Sequence, residues 1–440
     1  MKYFPVAICI VLSVVIGCKQ SIPYTDVTSS NSPDMPGTTQ RSDPAEAWSK
    51  NPRGASEEAP AISVDDSLFK RLEALGYADG TREAPQKHGV TVHDSMASFD
   101  GYNLYTSGHA PEAILIDMDG NILHRWSHGL WTVWPHLPKP ENPQIFWRRV
   151  HVFENGDLLA IFGGVGIIKL DKDSNLLWEN HNQAHHDLSV TANGDIYLLT
   201  RSERLVQELN ADEPFVEDFL TILDKSGREK SSVSILKSFQ NAPHYEHYWL
   251  HEARQGGDAF HTNTVFLLDG RISPRIPAFS KGNILTSMRH LNAIAVIDMK
   301  IEQVVWVHKG SYRAQHDPRI LQNGNLMLFD NGVDDLRSRI LEFDPEKMEL
   351  VWSYKGTVDN PFYSKLCGTC QRLPNGNTLI TETDAGRAFE VTRDNQIVWE
   401  YYNPHRVGEK NNRIASLFEM ERLPPNFPVH WSKAYLDSLE

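Results

Sequence analysis

Three histidines hold one register ahead of three tight turns. His186-Asp187 stands seven residues before Asn193-Gly194, His316-Asp317 stands seven before Asn323-Gly324, and His261 stands eight before Asp269-Gly270. Imidazole is the side chain whose unperturbed pKa lies near neutrality, so a set of imidazoles can supply a nucleophile and a general acid or base together. Apolar, strand-like runs flank each turn, and each unit therefore reads as a β-hairpin. Histidines repeated at one hairpin position converge if the hairpins are arranged about an axis.

The elements that would supply the axis repeat from about residue 101 to 404. An apolar strand meets an Asn-Gly-type turn and a second strand follows. Then come an apolar run ending in an acid, a polar turn, and a strand closing on Trp. Residues 113–117 lead to Trp126, 167–171 to Trp178, 295–298 to Trp306, 340–344 to Trp352, and 389–391 to Trp399. The last three tryptophans are 46 and 47 residues apart, and four strands at that period mark a β-propeller. Six units start near residues 98, 149, 185, 260, 314 and 366, so the expected fold is all-β, a six-bladed propeller over 98–425. The recurring Trp is read as blade-to-blade packing rather than a ligand platform. An acidic and aromatic insertion over 202–258 is expected on loops over one face.

The first strand of each blade lines the central channel, and the strand after the turn runs back beside it. Across a two-residue turn, the residue seven before Asn pairs with the residue eight after it. That count sets Arg201 opposite His186 and Asn331 opposite His316. In the fourth unit residues 269–282 enlarge the turn, and counting from Lys281-Gly282-Asn283 gives Arg289. His186, Arg201, His261, Arg289, His316 and Asn331 should therefore share the channel mouth, with Asp187 and Asp317 beside them. Such a pocket suits a tetrahedral oxyanion, because a guanidinium binds sulfate or phosphate oxygens through its planar fork.

Several segments carry a resemblance. They are Phe260-His261-Thr262-Asn263-Thr264-Val265, Ile284-Leu285-Thr286-Ser287-Met288-Arg289-His290, Gln315-His316-Asp317, the run from Asn323-Gly324-Asn325 to Asn331-Gly332, and Leu373-Pro374-Asn375-Gly376-Asn377. In that order they resemble the bacterial six-bladed arylsulfotransferase (aryl-sulfate sulfotransferase) family, over roughly residues 100 to 425. The resemblance implies an aryl sulfate donor, a phenolic acceptor, and two-step transfer with neither metal nor cofactor. By it, His316 matches the histidine that is transiently sulfated. His261 and Asn263 match the motif that contacts the sulfuryl oxygens and assists the leaving phenol, and Arg289 matches the arginine that neutralises sulfuryl charge. His186 matches a further active-site imidazole, with His185 as its alternative, and His290 falls in the matched Arg289 segment. Thr264 departs from the serine frequent there.

The chain has 440 residues and a formal charge of −14, which argues against a nucleic-acid partner but not against a local anion pocket. Met1-Lys2 and an apolar run to Gly17 read as an export segment. Val15-Ile16-Gly17-Cys18 resembles the bacterial lipobox, which implies cleavage before Cys18 and a lipid anchor there. The expected location is extracytoplasmic, at a bacterial membrane; Lys19 does not resemble an inner-membrane retention signal, which favours the outer membrane. Residues 19–62 read as a flexible tether, 63–97 as a short capped helix and linker, and 426–440 as a tail. Cys367 and Cys370 are the one pair in the folded region, a small-loop disulfide or a redox pair, with a structural or incidental role favoured. His244, His247 and His251 would share a helical face as zinc ligands, yet their aromatic neighbours point away from a metal. The competing function is a non-catalytic, lipid-anchored propeller that binds an anionic ligand or a protein. Oligomeric state is not encoded legibly.

Overall fold

The computed structural model describes residues 82–139 and 145–437. The export segment with Cys18, the tether, and the helix expected between Ser63 and Gly76 lie outside the described residues. Within them the chain is mostly β-strand, arranged as one five-stranded and five four-stranded sheets, the six blades of a β-propeller. Among the described residues no helix is long and apolar enough to cross a membrane.

Blade 2 shows why these sequences make blades. Its strands are Trp147–Val152, Leu158–Phe162, Gly166–Leu170 and Leu176–Asn180. Successive side chains of a strand point to opposite faces. Leu158, Ala160 and Phe162 therefore pack with Leu115 and Trp126 of blade 1, while Leu159 and Ile161 pack with Leu188 and Leu198 of blade 3. Both faces are buried, so the strand reads as an unbroken apolar run rather than an alternating one. Further clusters join blades 3 and 4, 4 and 5, 5 and 6, and 6 and 1, which closes the ring.

In blades 2 to 6 the strands run outward from the axis in chain order. Blade 1 differs. Its innermost strand is Leu417–Leu423, paired antiparallel with Tyr102–Ser107, so the two ends of the propeller share one sheet. The recurring tryptophans sit on the fourth strand of their blades, counted from the axis, and reach the next blade. The indole Nε1 of Trp126 donates to the Gly156 carbonyl at 2.9 Å, and that of Trp399 donates to the Met118 carbonyl at 2.9 Å. The turn glycines Gly156, Gly194, Gly270, Gly324 and Gly376 all take φ between +85° and +91°, a conformation that costs a residue with a Cβ dearly.

Several peripheral segments differ from the sequence reading. The region read as linker contributes Gly89–His93, a fifth strand on the outer edge of blade 6 beside Ile397–Tyr402. The region read as tail is anchored by Trp431, which is buried between blades 1 and 2. Cys367 and Cys370 are both free thiols. Cys370 packs between blades 5 and 6 whereas Cys367 joins an apolar cluster at the channel, so the two sulfurs serve opposite sides of one strand start.

The insertion is mostly ordered structure. Its hairpin, Ile196–Val206 and Asn210–Leu223, outgrows the inner strand of blade 3, with which it last pairs at Leu199–His185. Then Pro243–Tyr248 forms a 3-10 helix and Leu250–Ala253 a separate α-helical turn. The break between them removes the common face that would align His244, His247 and His251. The aromatic content has a packing reason instead: Phe239 and Trp249 bury against Phe260 at the interface of blades 3 and 4.

Candidate functional site

One end of the channel is built from the starts of the inner strands. Blades 2 to 6 contribute Arg148, His185-His186, His261, His316 and Cys367, and blade 1 contributes Phe418. His186, His261, Asp317 and Cys367 have φ of +54°, +49°, +54° and +54°. Left-handed backbone at non-glycine residues costs about 1–3 kcal/mol each and persists where the surroundings enforce it. The ladder is bulged at the same places, between Leu198 and Leu199 and between His316 and Arg319. His185 lies opposite Leu199 and His316 opposite Phe329, and the expected cross-strand pairs His186–Arg201 and His316–Asn331 do not form. The count is already out by one at the turns, which enclose three residues rather than two between the Thr191 amide and Asp195 carbonyl (2.9 Å) and between the Leu321 amide and Asn325 carbonyl (2.8 Å), and the bulges shift it again. The count succeeds at blade 4, where the Arg289 amide donates to the His261 carbonyl at 3.2 Å.

His316 is held in one tautomer. Its Nδ1 lies 2.9 Å from the Ala314 carbonyl and 2.8 Å from Asn331 Oδ1. Asn331 Nδ2 donates to the carbonyls of Ser364 (2.8 Å) and Cys367 (2.6 Å), which fixes its Oδ1 toward the imidazole. Both neighbours of Nδ1 are acceptors, so Nδ1 carries the proton and Nε2 keeps its lone pair. Nε2 has no hydrogen-bond partner among the described residues. Burial, aided by the Arg289 and Arg148 guanidiniums, pushes the His316 pKa well below the ordinary 6.5 despite the opposing Asn331 bond. The ring is therefore neutral at neutral pH. Asn331, expected as a substrate-binding group, instead orients the imidazole. Replacing it with Ala should lower kcat about 10- to 100-fold with KM little changed, which steady-state kinetics on the folded variant would read.

His261 is a different imidazole. Asp258 Oδ2 lies 2.7 Å from its Nδ1, and Asp258 Oδ1 accepts its backbone N–H at 2.9 Å. Burial pushes Asp258 up, but the His261 charge and hydrogen bond outweigh it and hold the carboxyl below the usual range. An ionised carboxylate only accepts, so His261 donates from Nδ1 and its Nε2 is left to exchange a proton. His290 packs 4.6 Å from the His261 ring and its Nδ1 meets the Asp258 carbonyl at 2.6 Å. Burial and His261 take its pKa down to about 4.

His186 faces His261 edge-on at 5.0 Å, and His185 stands behind it with Nδ1 to Nδ1 at 2.7 Å. Burial lowers the pKa of both. Arg201 lies across its hairpin from Asp218, whose Oδ2 accepts the Thr262 amide at 2.9 Å. Asn263 is engaged in the scaffold: its Nδ2 donates to the Gln315 carbonyl at 3.0 Å and its Oδ1 accepts from Thr264 Oγ1 at 2.9 Å.

The aspartates that follow the histidines face away. Asp187 Oδ2 accepts the Val265 amide at 2.8 Å and Asp317 Oδ2 accepts the Cys370 amide at 2.9 Å, each tying its blade to a neighbour's backbone. With Arg149, Arg319, Glu419 and Glu421 they line a cavity of about 950 Å³ toward the opposite mouth. Burial raises the Glu419 pKa to about 7 against the lowering charge of Arg149, with the Glu421 and Asp187 carboxylates adding to the rise.

Two guanidiniums on the histidine side have no such counter-ions. Arg289 and Arg148 are 8% and 7% exposed, and neither side chain has a hydrogen-bond or ion-pair partner among the described residues. Burying an unpaired cation costs several kcal/mol, so such groups mark a place where a bound anion completes the structure. Arg148 was not read from the sequence as a site residue. It stands seven before Asn155-Gly156, the very offset that drew attention to His186 and His316, and extending that count to arginine would have found it. Asp258 and Asp218 carried no such signal, because they lie in the insertion. Beside the cations, Phe146 and Phe418 stack at 4.4 Å and form an apolar wall with Leu366 and Cys367.

Among the described residues two groups bring three ligand-type side chains within 4.8 Å, Asp258–His261–His290 and His109–Glu112–His405. In the first, Nδ1 of each imidazole is already bonded to Asp258. In the second, the imidazoles stack face to face at 3.4 Å and 6°, so their in-plane lone pairs run parallel instead of converging on an ion.

The arylsulfotransferase (ASST) family model matches residues 148–404. Among curated proteins no match was found. The chain is similar to a solved protein of unknown function from Bacteroides caccae, at 12% identity over 72% of this chain and 97% of that one, with a TM-score of 0.46. It is also similar to virginiamycin B lyase from Staphylococcus aureus, at 13% identity over 76% and 97%, with a TM-score of 0.41. A streptogramin B lyase gives 14% identity over 78% and 96%, with a TM-score of 0.41.

Proposed function

This chain belongs to the arylsulfotransferase family, and from that premise we propose that it moves a sulfuryl group from an aryl sulfate to a phenol in two steps through His316. The observation that carries the reading is the state of His316, a neutral imidazole with Nδ1–H tied down and Nε2 free, beside buried guanidiniums that lack counter-ions. In the first step the Nε2 lone pair attacks sulfur, the sulfur–oxygen bond to the aryl group breaks, and the phenolate departs with a proton from His261. In the second, the acceptor phenol gives its proton back to His261 as its oxygen attacks sulfur. The sulfur–nitrogen bond then breaks and its electron pair returns to Nε2. Splitting the transfer replaces one difficult displacement by two easier ones. Arg289 neutralises charge on the sulfuryl oxygens in both transition states.

The test is transfer from a chromogenic aryl sulfate to a phenol by the mature protein in the presence of a chelator. Phenolate release that depends on the acceptor and ignores the chelator supports the reading. Binding of aryl sulfate without turnover, across several acceptors, replaces it with a non-catalytic anion-binding propeller.

We also propose that the mature protein is held at a bacterial membrane, on its extracytoplasmic side, by lipid on Cys18. Metabolic labelling with an alkynyl fatty acid should mark the wild-type chain and leave Cys18→Ser unlabelled, with the variant moving from the membrane to the soluble fraction. Two acyl chains would be needed for stable anchoring, since one gives only marginal binding.

A further inference from the structure

Arg148 and Arg149 are consecutive residues of one inner strand with opposite fates. Arg149 contacts Asp187 at 2.9 Å and pairs with Glu419, on the carboxylate side of the channel. Arg148 turns to the histidine side, where its Nη1 is buried and has no partner among the described residues. The Arg148 guanidinium carbon stands 5.4 Å from the centroid of the Phe418 ring, which stacks on Phe146. Its charge is also felt at His186, His316 and Cys367. It therefore borders both the nucleophile and the apolar wall.

An aryl sulfate monoester has one negative charge, and Arg289 answers it. A second buried cation without a counter-ion is one charge more than that substrate needs. We propose that Arg148 recognises a carboxylate carried on the aromatic ring, so that the preferred phenolic substrates of this site are hydroxybenzoate-like anions. The inference rests on the sulfuryl-transfer reading for the place of the ring. With the sulfuryl group held at His316 and Arg289, a substituent on the ring is what remains to meet the Arg148 guanidinium, whose fork matches a carboxylate in a bidentate pair. In a site that excludes water, that pair is worth on the order of tenfold or more in affinity.

Calorimetric titration separates this from turnover. The mature protein is titrated at pH 7 with 3- and 4-hydroxybenzoate and with their methyl esters, which keep the ring and hydroxyl but lack the charge. At least one acid should bind about tenfold tighter than its ester or better. Arg148→Gln, which keeps polar bulk without the charge, should bring acid and ester within about twofold, and Arg148→Lys should restore part of the gap. Esters binding as tightly as acids to the wild type overturn the proposal with no variant needed. So does a preference that survives Arg148→Gln, or an Arg148→Gln protein that loses acid and ester binding equally. Because the readout is binding, discrimination of acid from ester in a protein that transfers no sulfuryl group would count against the transferase reading alone.

Discussion

Replacing His316 by Asn is expected to abolish sulfuryl transfer, by at least about a thousandfold in kcat, while the protein remains folded. Asn keeps a polar group near the Ala314 carbonyl and Asn331 but has no lone pair on nitrogen to attack sulfur. The loss should appear in both half-reactions, donor cleavage and acceptor sulfation, because one nitrogen serves both. Rapid-quench mass spectrometry without acceptor should find a sulfuryl adduct on wild-type His316 and none in the variant. Full activity in a folded His316→Asn protein would end the sulfohistidine mechanism. The wild-type pH profile follows from the same geometry. Protonation of His316 removes the nucleophile, and burial with two nearby guanidiniums pushes that protonation well below the ordinary 6.5. The reaction should therefore persist as pH falls through 6.5, with the His316 acid limb displaced to lower pH. A limb at 6.5 that vanishes with Asn331→Ala would show that the imidazole is more solvated than its bonding implies.

Arg289→Met should move activity and stability in opposite directions. The guanidinium is buried, without a counter-ion among the described residues, and next to His316. Removing it takes away the charge proposed to meet the sulfuryl oxygens, so kcat should fall about 100- to 1,000-fold. In the ligand-free protein that same charge is desolvated and unpaired, and an apolar chain of similar length relieves it, for a gain on the order of 1–2 kcal/mol. Thermal unfolding should show Tm rising in the variant. Added sulfate should stabilise the wild type and leave Arg289→Met unmoved, since only a state that binds the anion gains from it. A variant that loses stability with activity would mean that Arg289 is a structural cation.

The distribution of what was legible follows from these physical causes. The blade repeat was readable because each strand must bury both faces against neighbours: the apolar runs, Asn-Gly turns and closing tryptophans are local demands, written where they act. The positions of His186, His261 and His316 were readable for the same reason, being offsets within single hairpins. Arg148 obeys the same offset, but an arginine there carries no imidazole signal to mark it. The cross-strand partners of His186 and His316 differ from the count for two reasons: the turns enclose three residues rather than two, and left-handed residues and bulges then shift the ladder again under strain that comes from the surrounding packing. Asn331 shows this well: its side chain still reaches His316, but by way of Ser364 and Cys367 in the following blade.

By itself the sequence determined a six-bladed ring and the residue types gathered at its axis, since period, turn chemistry and burial pattern act over tens of residues. Only the tertiary structure decided the chemistry of each member. It made His316 a neutral imidazole with Nε2 free and His261 a carboxylate-held one. It also gave Arg149 its acids and left Arg148 and Arg289 without any among the described residues. Those distinctions are set by burial and by partners that arrive from other blades and from the insertion, and neither has a local signature in the chain.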